Sequence, residues 1–199
     1  MPEAASDVEP TSARRSALLL RQTLEWRTVP VNRLLELLGA YVVAAQVRLG
    51  GAWLNVVSIH AAPYEWEGSL PPGYQLKPRS CEKHLWHSDI ALARLIELPQ
   101  AGPVLAVGDY NECLGWDEPR HRGHNCGKEF FATLETGCLI DCTVGAWADG
   151  ERQTGPQRDY QVDRVLADRA TARRVHVSVD ELEFEKLSDH APIWFSLDA

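Results

Sequence analysis

Four short stretches hold the residue types that could do chemistry. His60 closes the apolar run 53–60, three residues before Pro63. Asp109 and Asn111 follow the apolar run 104–107 and Gly108. Asp163 lies inside the apolar segment 160–166. Asp189 and His190 stand directly before a last apolar strand that runs to Leu197. In each case polar side chains sit at the end of a strand pattern or just within it, and open α/β sheets place ligand chemistry at strand ends. An Asp there can hold a metal or take a proton from water, and an Asn can donate its amide to an anion. A histidine held by a carboxylate titrates near working pH and can act as a base. Three acids, two histidines and one amide suit metal-assisted attack on a phosphate. Carboxylates are hard oxygen ligands for Mg²⁺ or Ca²⁺, and charge developing on phosphoryl oxygens calls for amide and imidazolium donors. Each stretch also has a plainer reading. Strand-Gly-Asp opens many ordinary turns, and a single histidine at a strand end serves equally as a core or surface residue.

The elements that must position these residues follow from pattern. Two β-rich runs, Tyr41 to Leu49 and Trp53 to His60, flank Gly50-Gly51 and predict a hairpin. Residues 64–79 form a long loop rich in Pro, Gly and aromatics, open to a substrate-edge role or a merely irregular one. A helical pattern runs from Ser80 to Leu98 and ends at Pro99. The buried strand 104–107 follows and stops at Gly108, completing strand, crossover helix, strand. Residues 117–127 are a charged loop. Lys128 to Thr136 is a helix ended by Gly137. A further loop carries Asp141 and Trp147. Tyr160 to Leu166, Arg173 to Val179 and Leu187 to Leu197 read as strands. Residues 1–16 read as a disordered leader, and 17–38 as two short helices around Pro30. No repeat or low-complexity block is present.

Bulk properties narrow the classes. A chain of 199 residues, 45% hydrophobic, fits one globular domain with a real core. The formal charge of −8 argues against a protein held on nucleic acid by bulk electrostatics. It leaves room for a nuclease whose acidic site is neutralised by metal. Five scattered cysteines without a CxxC pair indicate free thiols in a reducing compartment. The Arg14-Arg15 pair is followed by an apolar run too short for a signal peptide, interrupted by Arg21, Gln22 and Glu25. No run approaches the ~20 residues needed to span a bilayer. The expectation is a soluble, cytoplasmic protein with no membrane span.

Taken in order, Ile59-His60-Ala61-Ala62-Pro63, Gly108-Asp109-Tyr110-Asn111, Gln161-Val162-Asp163-Arg164-Val165-Leu166 and Ser188-Asp189-His190-Ala191-Pro192 resemble the endonuclease/exonuclease/phosphatase (DNase I-like) superfamily. The resemblance covers about residues 40 to 197. It implies an α+β fold, two β-sheets packed face to face and flanked by helices in four α/β/β/α layers. It implies a metal-dependent phosphoester hydrolase, with Mg²⁺ (or Mn²⁺ or Ca²⁺) as cofactor and a nucleic acid or small phosphorylated molecule as substrate. By position, His60 resembles the histidine that hydrogen-bonds the scissile phosphate, and Asn111 the amide that grips it. Asp109 resembles the acid that orients or activates the attacking water. Asp163 resembles the acid paired with the final histidine, Asp189 a metal-site carboxylate, and His190 a general base or phosphate-binding histidine. Whether Asp109 or His190 activates the water stays open.

The sequence also departs from that pattern. The family begins with a strand carrying an Asn, then a helix, then a strand ending in a metal-binding Glu. Asn32 lies in a Leu-rich helical context, and Glu25 and Glu36 read as solvated helix-face acids. The expectation is therefore a domain incomplete at its N-terminus, with an uncovered sheet edge and apolar face. A catalytically inactive member acting as a binding or interaction module is the alternative function. Other candidates are weaker. His121, His124 and Cys126, or Cys81, His84 and His87, lack a closed four-ligand zinc pattern. Arg169, Arg173 and Arg174 form a small basic cluster, solvated or a polyanion dock. Trp66 and Trp147 serve packing or base stacking.

Overall fold

The computed structural model describes residues 16, 18, 20, 22–29, 38, 41–63, 65–80, 82–98, 102–113, 127–143, 162–179 and 193–198. In chain order these form β1 (Trp26–Thr28), β2 (Val42–Leu49), β3 (Ala52–His60), β4 (Glu65–Trp66), β5 (Leu85–Trp86), α1 (His87–Glu97), β6 (Val104–Asp109), α2 (Gly127–Thr136), β7 (Leu139–Asp141), β8 (Asp163–Asp168), α3 (Arg169–Ala172), β9 (Val175–Val179) and β10 (Ile193–Leu197). Six strands make one mixed sheet in the order β1-β2-β3-β6-β8-β7, and β9 pairs with β10 in a second, two-stranded sheet.

The β2–β3 hairpin turns where the sequence places Gly50-Gly51. Leu49 pairs with Ala52, and both glycines have positive φ, 56° and 86°. Two-residue hairpin turns favour that geometry because its twist matches the strands. β6 lies parallel to β3, as a strand-helix-strand crossover requires. Alternation along the strands then divides the core. Val104 and Ala106 face the helices, packing with Ile90, Leu92 and Leu95 of α1 and Phe130 and Leu134 of α2. Leu105, Val165 and Ala167 face the other way, against Val175, Val177, Ile193 and Leu197 of the small sheet. The layers are helix, six-stranded sheet, two-stranded sheet: an α+β fold.

Several boundaries differ from the sequence expectation. β6 does not stop at Gly108 but continues to Asp109. Gly108 has φ 147°, and a Cβ there would meet the Ile59 carbonyl oxygen at 1.8 Å, so only glycine lets β6 lie this close to β3. The helix expected from Ser80 starts at His87 instead. Trp86 is extended and its N–H donates to the Asp89 carboxylate at 2.9 Å, which caps the first turn. Leu85 and Trp86 pair with β4, itself inside the expected loop. At the end of α2 the left-handed residue is Cys138, φ 63°, rather than Gly137. β7, in a stretch expected as loop, pairs with β8. β8 begins at Asp163 and runs on to Asp168; Tyr160 and Gln161 lie outside the described residues.

Within the segment expected to be helical, 26–28 is a strand, β1, paired antiparallel with β2. Three exposed residues form it because β2 offers an open edge. Glu25 precedes β1 rather than lying on a helix; its carbonyl accepts from the Arg48 N–H at 2.8 Å and its carboxylate meets Arg48 at 2.9 Å. Asn32, Glu36 and most of 1–38 lie outside the described residues. Ser16 is an exception, its hydroxyl donating to the Tyr41 carbonyl at 2.7 Å. Among the described residues no helix is long and apolar enough to cross a membrane.

Candidate active site

Three strand ends bring the chemistry together. β3 and β6 run parallel and in register, so His60 and Asp109 are direct neighbours at their carboxyl ends. β8 runs antiparallel to β6, so its first residue, Asp163, pairs with Asp109 from the other side. Side chains on directly paired residues share a face. His60, Asp109 and Asp163 therefore form a row across one end of the sheet, in phase with Val56, Val107 and Val165 on the face that carries β9 and β10.

Asp109 is held tightly. Its Oδ1 accepts from the Asn111 backbone N–H at 2.8 Å and its Oδ2 from Asn111 Nδ2 at 2.9 Å. Asn111 Nδ2 also donates to the Ala61 carbonyl at 2.7 Å. The Asn111 amide thus bridges the strand ends of β3 and β6. This turn has a backbone cost: Asn111 sits at φ 50°, a left-handed conformation that Asn tolerates better than most residues. The Ala61 N–H closes the bracket by donating to the Asp109 carbonyl at 2.7 Å, and the Tyr110 N–H donates to the Val162 carbonyl at 3.0 Å. Tyr110 itself is fully buried against Phe130, so the motif alternates outward acid, inward aromatic, outward amide.

His60 Nε2 stands 3.8 Å from Asp109 Oδ2, with both side chains about one-sixth exposed. That spacing is an ion pair when the imidazole is protonated and leaves the ring edge accessible. The Tyr41 ring stacks on His60 at 5.7 Å between centroids, and His87 meets both Tyr41 and Trp66 edge-on.

The remaining expected residues fall as follows. Asp189 and His190 lie outside the described residues, as do Cys81, His121, His124, Cys126 and Trp147. His84 is exposed beside Glu65 at 3.8 Å, whereas His87 packs among aromatic rings, so these two do not act as a pair. Trp66 is half-buried against the helix-side core. Arg169 and Arg173 are exposed, and Arg174 donates to the Asp198 carbonyl. Among the described residues no three His, Cys, Asp or Glu side chains group closely enough to hold a metal. Magnesium is often bound through one or two carboxylates with water and phosphate oxygens completing its shell. Asp109 and Asp163 are the described residues of this row with suitable donor atoms.

Charged groups that the sequence did not single out lie just beneath. Glu112, next to Asn111, is fully buried, and Arg79 from the end of the long loop is buried against it. Burial pushes the Glu112 carboxyl above its usual range, and the Arg79 and Ser88 hydrogen bonds only partly offset this. Burial pulls Arg79 down, but Glu112 and Asp89 outweigh it and keep the guanidinium charged. Arg164, beside Asp163, donates to Asp141 Oδ2 at 2.5 Å and to the Glu112 carbonyl at 3.3 Å.

Solved structures of similar fold are known. The endonuclease domain of TRAS1, a telomere-specific non-LTR retrotransposon, superposes with a TM-score of 0.55 at 15% identity, over 91% of this chain and 72% of that one. A 3′ phosphatase, NExo, from Neisseria, solved with a product DNA hairpin, superposes with a TM-score of 0.50 at 20% identity, over 89% and 71%. The chain has the endonuclease/exonuclease/phosphatase fold. This DNase I-like fold is shown here by structure alone, since no protein-family model and no curated protein matches the sequence. A helix layer, the six-stranded sheet and the β9–β10 pair are present, and the row of His60, Asp109 and Asp163 lies at one end of the six-stranded sheet. The described residues do not include an outer helix layer on the β9–β10 side.

Proposed function

We propose that this chain is a metal-dependent phosphoester hydrolase acting on a nucleic acid or a small phosphorylated molecule. The observation that carries the reading is the juxtaposition of His60, Asp109 and Asn111 at adjacent strand ends, with Asp163 next in register. Asp109, fixed by two hydrogen bonds from Asn111, is oriented to accept a proton from an attacking water. His60, 3.8 Å from the Asp109 carboxylate, is placed to donate to a phosphoryl oxygen when its imidazole is protonated. Asn111 holds Asp109 and spans to β3, and it meets a phosphate only by exchanging one of its present acceptors. Mg²⁺, with Asp189 among its expected ligands, would supply charge neutralisation at the phosphate. Nuclease and phosphatase activities among the fold neighbours agree with this class of reaction.

The test is hydrolysis of bis(p-nitrophenyl) phosphate and of plasmid DNA with Mg²⁺ or Mn²⁺. Asp109→Ala and His60→Ala are each expected to lower the rate by about 10²–10⁴-fold, and EDTA to abolish it. Equal rates in wild type and both variants would sink the hydrolytic reading of these residues.

A second reading is a non-catalytic binding module. It is favoured by one observation: both Asn111 Nδ2 bonds go to protein acceptors. Saturable binding of a phosphorylated ligand without turnover, lost in His60→Ala, is its signature.

A further inference from the structure

We infer that Arg79 and Glu112 form a buried positioning pair that holds the Asp109–Asn111 turn, tying it to the long loop ahead of α1. Its consequence for catalysis rests on the hydrolytic reading above; its geometry does not.

The pair is closed to solvent, with side-chain exposures of 4% for Arg79 and 0% for Glu112. Arg79 presents a fork to the carboxylate: Nη1 donates to Oε2 at 2.8 Å and Nη2 to Oε1 at 2.5 Å. Nη2 also donates to Ser88 Oγ at 2.9 Å, and Nε to Asp89 Oδ1 at 2.8 Å. The Ser88 hydroxyl donates to Glu112 Oε1. One guanidinium thus joins the loop end, the first turn of α1 and the residue after Asn111. From the other side Arg164 Nη2 reaches the Glu112 carbonyl at 3.3 Å, with its guanidinium over the Phe131 ring at 4.4 Å. Glu112 is gripped at its side chain and at its backbone.

Stability is a weak reason for such an arrangement. A buried ion pair often contributes no more than apolar residues of the same volume, because desolvating two charges offsets their attraction. What it does well is fix geometry, since a bidentate fork accepts one orientation. The neighbouring residue needs that help. Asn111 occupies φ 50°, and strained backbone persists where its surroundings over-determine it. Asn111 in turn makes both short bonds to Asp109. The line of control runs from Arg79 to Glu112, to Asn111, to Asp109. Arg79 and Glu112 are positioning residues; neither belongs to the row of His60, Asp109 and Asp163.

The experiment replaces the pair with apolar residues, Arg79→Met with Glu112→Leu, in the full chain. Hydrogen exchange of the Asn111 backbone and side-chain N–H groups is read against the amides of β3 and β6. Expected is a thermal transition close to wild type, exchange at Asn111 faster by about tenfold or more, and unchanged β3 and β6. With an active wild type, kcat on bis(p-nitrophenyl) phosphate falls by about tenfold to 10²-fold while KM stays within about twofold. Should the double variant fail to fold, Arg79→Lys keeps the charge but loses the fork, and the same exchange readout applies. Unchanged protection at Asn111, or a uniform rise across all core amides, overturns the inference. If wild type hydrolyses nothing, the functional proposal fails while the exchange result still decides the positioning role.

Discussion

Asp168 shows how single residues secure this sheet. Its carboxylate accepts from the Val104 N–H at 2.7 Å, from the Ala170 and Thr171 N–H groups, and from the Thr171 hydroxyl at 2.5 Å. Burial pushes the group up, but these bonds outweigh it and hold it below the ordinary aspartate range. A carboxyl depressed in the folded state stabilises above its unfolded pKa, near 4, and loses that contribution as pH falls through the lower folded value. Asp168→Asn should therefore lose more stability at pH 7 than at pH 3, read by urea denaturation at both. A constant difference would show that the charge is not what matters. Cysteines provide a second check. Burial, then Asp141 and Asp168, push the Cys142 thiol up to about 11, while Cys138 is exposed. Peptide mapping after brief alkylation at pH 8 should find Cys138 modified well before Cys142, because only the thiolate reacts. At this scale the placing of His60, Asp109 and Asp163 at strand ends, with Asn111 just beyond one, was legible, since each sits where an apolar run meets a polar residue. Arg79 and Glu112 were not. No local pattern marks a charge as buried, and Arg and Glu are almost never fully buried unless paired with residues far along the chain.

Among the elements, β6 makes the sharpest demand. Gly108→Ala places a Cβ where the Ile59 carbonyl oxygen already lies, so β3 and β6 must part just below His60 and Asp109. A loss of at least about 1–3 kcal/mol is expected, the usual scale for backbone strain of this kind. Thermal melts measure it, and a near-neutral change would refute the close packing. Elements with a strong periodic signal were readable: the β2–β3 hairpin from Gly50-Gly51, and the helical pattern between that hairpin and β6. Elements that exist only through their partners were not. β1, β4, β5 and β7 have two or three residues each, too few for a period to show. α1 begins at His87 because Asp89 caps Trp86 and β4 holds Leu85. Both are tertiary facts that the apolar spacing between Leu85 and Ile96 could not reveal.

For the whole molecule, the two cores are unequal. Among the described residues the helix-side cluster takes in most of the buried large side chains, whereas the second core has four buried residues with a two-stranded sheet packed on them. Trp194 and Phe195 on β10 remain 60% and 40% exposed. A two-stranded sheet is marginal unless packed, so residues 175–179 and 193–197 should exchange amide hydrogens faster than 52–60 and 104–109. Hydrogen-exchange mass spectrometry reads this directly, and equal protection would mean that the layers open as one unit.

The parallel pairing of β3 with β6 also sets a timetable. His60 and Asp109 become neighbours only after the chain between them has crossed over and packed α1, and Asp163 joins only when β8 lines up beside β6. On a growing chain, where the earlier residues emerge and begin to fold first, every member of the row but the last waits for a partner not yet made. Contacts so far apart in sequence form slowly, because loop closure must precede the bonds that reward it. The residues of the row are thus brought together late in folding, and a ribosome stalled before β8 would hold His60 beside Asp109 with the place of Asp163 still unfilled.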